Sequence, residues 1–321
     1  MMLKGDNMEK LTDIGEFGLI EKIAAKFKNK EKIFKGIGDD CAVIEDNHDY
    51  TLMTTDMLVE GDHFNLDWHT GWQVGWKSIV VNVSDIAAMG GLPKWGLVSI
   101  AFPNDTDLGL AEAILDGMVD ASEMHGLTII GGDTTHGNDL TINVALIGNV
   151  ERDMLCMRGD AEIGDLICVS GDLGKSWAGL ELLRANETGY TDFYLEPECR
   201  LELGRSIASH VNAMIDVSDG LASEVRHICE ESSVGAEVER EKVPISEKTR
   251  QTGEKLGIDP MKWALHGGED FELVFTIPPK KIDLLEKDDV FVVGKIIEEG
   301  MYLIDGGKKE LGGGYDHFKI E

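Results

Sequence analysis

Aspartates beside glycines or at the ends of apolar runs recur along the chain. They are Asp39 and Asp40 in Gly36-Ile37-Gly38-Asp39-Asp40, Asp56 after Thr54-Thr55, Asp85 in an apolar stretch, Asp133 in Gly131-Gly132-Asp133-Thr134-Thr135, and Asp216 and Asp219 in Asp216-Val217-Ser218-Asp219-Gly220. Glycine lets backbone approach a ligand closely and adopts φ values that other residues avoid. Oxygen ligands with no accompanying histidine or cysteine pair select a hard cation, magnesium above others. Two bare carboxylates about 4 Å apart repel by roughly 4 kcal/mol at an effective dielectric near 20, so gathering several calls for cations or raised pKa values. Magnesium shares its coordination with substrate phosphates, which points to a nucleotide triphosphate or to phosphoryl transfer. A single Gly-Asp-Asp loop is more often a solvated turn. The recurrence carries the reading.

The elements that must position these residues alternate between strand and helix patterns. An amphipathic helix is predicted over 18–28, then a strand over 50–56 that ends in two hydroxyls and a carboxylate, with His63 in the following loop. Residues 75–89 have helical periodicity, place Asn82 and Asp85 on one face, and stop at Gly90-Gly91 and Pro93. A buried Asn82 or Asp85 needs a partner, either a cation or a neighbouring backbone group. A strand over 95–102, a helix over 107–125, a short buried strand over 127–130 running into the Gly-Gly-Asp corner, and a strand over 140–150 complete a first half.

A second half is expected from residue 151. Its strand over 166–170 leads into Gly171-Asp172-Leu173-Gly174-Lys175-Ser176, a near miss to a Walker A loop because Val169 stands where that motif needs its first glycine. The turn is read as the cap of a helix over 176–185, with phosphate contact as the alternative. A strand over 213–216 precedes a helix reaching 231, and His266-Gly267-Gly268-Glu269-Asp270 forms another glycine-acid corner before a strand over 271–277. A strand over 289–297 and a glycine-rich tail over 312–318 finish the chain.

Composition narrows the function classes. The 321 residues are 42% hydrophobic with only 7 prolines, enough for two packed domains. Sixty acidic against 30 basic residues give a formal net charge of −30, which argues against nucleic acid or anionic lipid as partner. No run of about 18 apolar residues occurs and the N-terminus lacks a signal-peptide core, so a cytoplasmic protein without a membrane partner is expected. Cys41, Cys156, Cys168, Cys199 and Cys229 show no C-x-x-C spacing and fit reduced thiols. There is no Gly-x-Ser-x-Gly elbow, no His-Glu-x-x-His, and no Rossmann glycine fingerprint after a strand.

As an ordered set, GIGDDCAVI (36–44), TTDMLVEGDHF (54–64), WKSIVVNVSDIAAMGGLP (76–93), IIGGDTT (129–135), DVSDGL (216–221), HGGEDFELVF (266–275) and GYDHF (314–318) resemble the thiamine-monophosphate kinase family. That family shares a superfamily with aminoimidazole ribonucleotide synthetase. The resemblance implies ATP-dependent phosphorylation of thiamine monophosphate to thiamine diphosphate by direct in-line transfer, with magnesium ions and no phosphoenzyme. It implies Asp40, Thr54, Thr55, Asp56, Asp85, Asp133 and Asp216 as magnesium ligands, and Asp219 as a further metal or phosphate position. Gly132, Asp133, Arg158 and Ser218 fall at ATP-binding positions, while His63, Glu269 and Tyr315 fall where the family holds thiamine. It also implies an α/β fold of two domains: 1–150, a mixed sheet with helices that binds metal and ATP and pairs into a homodimer, and 151–321, an α/β domain completing the substrate site.

Two departures from the family pattern are Gly159-Asp160-Ala161 in place of Ser-Gly-Ala, and His125 in place of a frequent tyrosine. Lys175 receives no role. Alternatives are another ATP-dependent enzyme of the superfamily, such as an aminoimidazole ribonucleotide synthetase-like one, or a non-catalytic nucleotide or thiamine-phosphate sensor. A sensor has no need of a complete set of metal ligands.

Overall fold

The computed structural model describes residues 10–27, 31–285 and 289–313. The first half begins with α1 (Leu11–Lys26), β1 (Ile33–Lys35), β2 (Ala42–Glu45) and β3 (Asp49–Val59). It continues through α2 (Gly71–Ala88), β4 (Leu92–Phe102), α3 (Leu108–His125), β5 (Thr128–His136) and β6 (Thr141–Glu151). The second half holds β7 (Leu166–Ser170), α4 (Lys175–Arg184), α5 (Asp192–Leu195), α6 (Leu201–Ile207), β8 (Ala213–Asp216) and α7 (Leu221–Ser232). After them come β9 (Gly235–Glu239), α8 (Glu247–Leu256), α9 (Pro260–His266), β10 (Leu273–Ile277), β11 (Val290–Ile297), β12 (Met301–Ile304) and β13 (Lys308–Glu310).

Each half is built on one sheet. The first has the order β1-β2-β3-β6-β4-β5, antiparallel except for the β4/β5 pair that α3 connects. Helices α2 and α3 cover one face, where Ile79, Val83, Ile114 and Met118 pack on Val98, Ile100, Ile142 and Val144. On the other face Met53, Trp95, Leu97 and Ile130 are exposed. The second sheet has the order β13-β12-β9-β11-β7-β10-β8. Leu221, Val225, Met261 and Leu265 from α7 and α9 meet Val169, Ile215 and Val274 on one side, while Ile207 of α6 meets Met214 and Phe275 on the other.

Helix α2 ties the halves together. It is apolar nearly all round, the pattern of an internal helix, and it is buried along almost its whole length. Thr70 caps it, accepting from Gln73 N while Gln73 Oε1 accepts from Thr70 N at 2.9 Å. Against α3 the backbones touch: a Cβ on Gly75 would lie 1.9 Å from the Ile114 carbonyl oxygen, and one on Gly117 1.9 Å from that of Trp72. Ala88 at its C-terminal end packs into the core of the second half beside Ile207.

Several boundaries differ from the sequence-based expectation: α2 begins at Gly71, β4 at Leu92 and β10 at Leu273, and three further differences bear on the site. The opening helix starts earlier, at Leu11, with a break at Gly15. Strand β3 does not end at Asp56 but pairs with β6 from Asp49↔Glu151 to Val59↔Thr141, so Thr54, Thr55 and Asp56 lie inside it. The predicted buried strand over 127–130 is instead a long exposed edge strand, and the Gly-Gly-Asp corner is part of it. Parallel pairing with β4 carries on to Phe102↔His136, and the glycines serve that ladder: a Cβ on Gly132 would sit 1.7 Å from the Val98 carbonyl oxygen.

Candidate active site

Strand alternation points Thr54 and Asp56 to the side of Leu52 and Leu58, toward α2. There Thr54 Oγ1 donates to Asp85 Oδ2. Asn82, one turn earlier on α2, accepts from Asp56 N at 3.0 Å and donates to the Ser78 carbonyl at 3.1 Å, so this buried amide is satisfied by backbone and braces β3. Ser84 Oγ donates to Asp216 Oδ2 at 2.6 Å, bringing the end of β8 from the second half against α2. Asp40 arrives from the glycine loop before β2. One carboxylate oxygen each from Asp40, Asp85 and Asp216 lies within 4.8 Å of the others.

Burial raises the pKa of all these carboxyls, and repulsion from neighbouring carboxylates raises Asp56, Asp85 and Asp216 further. Asp56 is pushed up to about 6 and Asp216 to about 8, each by desolvation first and by Asp40 next. Asp40 and Asp85 move the same way, again chiefly through burial. Arg158 opposes this at Asp40, its Nη2 donating to Asp40 Oδ1, and the hydroxyls of Thr54 and Ser84 oppose it at Asp85 and Asp216. Asp40 Oδ2 is buried without a hydrogen-bond partner. An orphaned oxygen among converging carboxylates and hydroxyls is a donor set that fits magnesium.

Asp39 differs from its neighbour. Both of its oxygens accept from Arg158 N at 3.3 Å, and Oδ1 also accepts from Asp40 N at 3.2 Å. Its carboxylate is engaged by backbone, whereas Asp40 keeps one oxygen without a partner; both residues line the same cavity.

The second wall comes from two loops laid against each other. A Cβ on Gly268 would meet the Ser218 carbonyl oxygen at 1.9 Å, which explains the glycine at that corner. Glu269 N donates to Ser218 O at 2.9 Å and Phe271 N to Val217 O at 3.0 Å. Glu269 itself is held at φ 64°, an unusual conformation for a residue with a side chain. Between the walls lies a cavity of about 1060 Å³ that reaches Asp40, Asp56, Asp85, Arg158, Asp216 and Glu269.

The sequence and the fold have counterparts among known proteins. Residues 38–150 match the family model of the AIR synthase related protein N-terminal domain, and residues 162–305 that of the C-terminal domain. A thiamine-monophosphate kinase of Aquifex aeolicus is 38% identical over 96% of this chain and 100% of its own length; one of Bacillus subtilis is 36% identical over 85% and 86%. The chain belongs to the thiamine-monophosphate kinase family. A solved family member, AaThiL complexed with AMPPCP and TMP, superposes with a TM-score of 0.89 at 36% identity, covering 97% of this chain and 100% of that one.

Of the family-motif residues, the cavity is lined by Asp40, Thr54, Thr55, Asp56 and Asp85 from the first half. His63 and Arg158 also reach it, as do Asp216, Ser218, Asp219 and Glu269. Thr55 does so from the opposite side of β3, its hydroxyl donating to the Val144 carbonyl at 3.0 Å. Gly132 and Asp133 are not brought there. Asp133 pairs with Ser99 on the exposed edge strand, three strands from Asp56 or about 14 Å at ordinary strand spacing. Tyr315 lies outside the described residues. His125 and Asp160, the two departures from the family pattern, do not line the cavity.

The Walker-like turn has a protein occupant instead of a phosphate. Gly174 N and Ser176 N, at the start of α4, donate to the Asp270 carboxylate at 2.5 and 3.0 Å. Lys175 is engaged as well, pairing with the buried Glu272, which also receives Arg200. Sequence reasoning missed Lys77, Trp177, Tyr194 and Glu224. Lys77, Trp177 and Tyr194 line the cavity, and Glu224 Oε1 holds Asp219 N at 2.8 Å. Lys77 alone carried a visible signal, a single cation within an otherwise apolar helix.

Proposed function

We propose that this chain transfers the γ-phosphoryl group of ATP to the phosphate of thiamine monophosphate, producing thiamine diphosphate and ADP. The observation that carries the reading is the convergence of Asp40, Asp85 and Asp216 from both halves within 4.8 Å, beside Arg158 and in the same cavity as Glu269. An acceptor phosphate oxygen is already anionic, so it forms the new P–O bond as the bond to the ADP oxygen breaks, with no general base required. The obstacle is repulsion between two polyanions, which the guanidinium of Arg158 offsets. Asp40, Thr54, Thr55, Asp56, Asp85 and Asp216, with Asp219 as a further metal or phosphate position, would hold magnesium, which would supply further charge neutralisation. Ser218 and Arg158 bind ATP, whereas His63, Glu269 and Tyr315 bind the cationic aromatic thiamine moiety.

The active form is a homodimer through the first domain (1–150), with the second domain (151–321) completing the substrate site. The exposed Trp95, Leu97 and Ile130 on one sheet face support this pairing. Asp133 pairs with Ser99, which exposes its side chain on that same face, so such pairing would put Gly132 and Asp133 at the seam between the copies, and we propose that Asp133 serves the partner's site from there. A cytoplasmic location agrees with the finding that among the described residues no helix is long and apolar enough to cross a membrane.

Incubation with ATP, Mg²⁺ and thiamine monophosphate across a broad salt range should yield thiamine diphosphate and ADP in equal amounts. ATP consumption without thiamine diphosphate, or no turnover at any salt concentration, would refute the reading.

A further inference from the structure

Lys77 lies in the middle of α2 with only 1% of its side chain exposed. A buried ammonium must be paired and hydrogen-bonded to be tolerated. Its three donors find three oxygens: the His63 carbonyl at 2.7 Å and the two Glu269 carboxylate oxygens at 2.8 and 2.9 Å. The Tyr194 ring stacks beneath it, centroid 4.4 Å away. These partners come from separate places: the loop after β3, the corner before β10, and α5. One side chain on a rigid helix therefore joins both halves of the chain at the cavity wall away from the aspartate cluster.

We propose that Lys77 is a positioning residue for the thiamine side of the site, holding the Glu269 carboxylate and the His63 loop in one geometry. The inference rests on the kinase reading above. With its backbone held at φ 64° and tied to Ser218, Glu269 has its carboxylate as the main remaining freedom, and Lys77 removes it. The carboxylate still presents lone pairs to the cavity, since 25% of its side chain is exposed. An acceptor fixed before the ligand arrives spares the ordering cost on binding. Pairing with Lys77 also limits Glu269 to an oriented acceptor for donors on the ligand, in place of a bare anion that would attract any cation.

The test is a kinetic cycle. K77M keeps the length and the apolar stem of the side chain and removes the charge. It should raise KM for thiamine monophosphate about 10-fold while kcat and KM for ATP stay within about 3-fold. E269Q should raise the same KM, and adding K77M to E269Q should cost less than about 3-fold more, because the residue Lys77 acts through is already altered. K77R, which keeps a cation beside Glu269, should recover most of the loss, and K77Q, which also removes the charge, replaces K77M in the cycle if K77M does not yield folded protein. An unchanged KM for thiamine monophosphate overturns the assignment; so do equal rises in both KM values, or effects of K77M and E269Q that multiply in full. Failure of the wild type to make thiamine diphosphate would instead overturn the kinase reading, and binding of thiamine monophosphate to wild type and K77M by calorimetry then tests Lys77 separately.

Discussion

Gly36-Ile37-Gly38-Asp39-Asp40 and Gly131-Gly132-Asp133 look alike in sequence, yet they end on different sides of the first sheet. Asp40 is buried at the meeting of both halves with Asp85 and Asp216. Asp133 is exposed in the edge strand β5. In the first segment glycine serves a loop, with Gly38 at φ 113°; in the second it serves a strand ladder, allowing β5 to lie against the Val98 carbonyl. A glycine-acid motif therefore announces close backbone approach without saying what is approached. Sheet order decides whether the carboxylate joins a cluster.

The largest effect that would break this contrast is at the cluster itself. D216N should lower kcat by about 10³-fold, since on the proposed reading it removes a ligand of the charge-neutralising magnesium, a carboxylate that Ser84 holds in place. Loss of less than about 10-fold would remove Asp216 from the machinery and leave the two regions equivalent.

The edge-strand aspartate gives the sharper test. D133N and D56N should each be inactive alone, but mixed and allowed to exchange subunits they should regain about a quarter of wild-type activity. Half of the dimers are then mixed, and each mixed dimer has one site with both aspartates intact. No recovery would show that Asp133 acts within its own chain or not at all.

The smallest effect concerns protons. Asp56 and Asp216 are raised from 3.8 to about 6 and about 8, so the folded chain binds more protons than the unfolded chain in between. Without divalent metal their contribution to stability is full below about pH 4 and is lost as pH rises toward 8. Magnesium competes with those protons. Its addition should raise Tm by about 5 °C more at pH 8 than at pH 5. Equal shifts at both pH values would argue that the cluster does not take the metal.

Much of the site could be read from residues in order. Asp40, Asp56, Asp85, Asp216 and Glu269 all stand in motifs whose local chemistry is unusual, acids beside glycines or inside apolar helices, and the cavity receives all of them. The Asp270 carboxylate shows why local patterns can mislead. Gly171 to Ser176 has the composition of an anion loop, and its backbone donors do hold an anion, but that anion is a side chain 94 residues further on from Ser176. Lys77 and Tyr194 could not be connected by any sequence spacing, since they meet only through the packing of α5 beside α2.

By itself the sequence determined the alternation of strands and helices and the recurrence of acids beside glycines, which follow from periodicity and glycine stereochemistry acting over a few residues, and its ordered motifs carried the resemblance to the family. Only the tertiary structure decided that Asp133 stands apart from the cluster of its own chain, that Asp39 is engaged by backbone while Asp40 keeps an unpartnered oxygen, and that a buried lysine pairs with Glu269. These depend on strand order and on which charges share a low-dielectric space, and such relations join residues far apart in the chain.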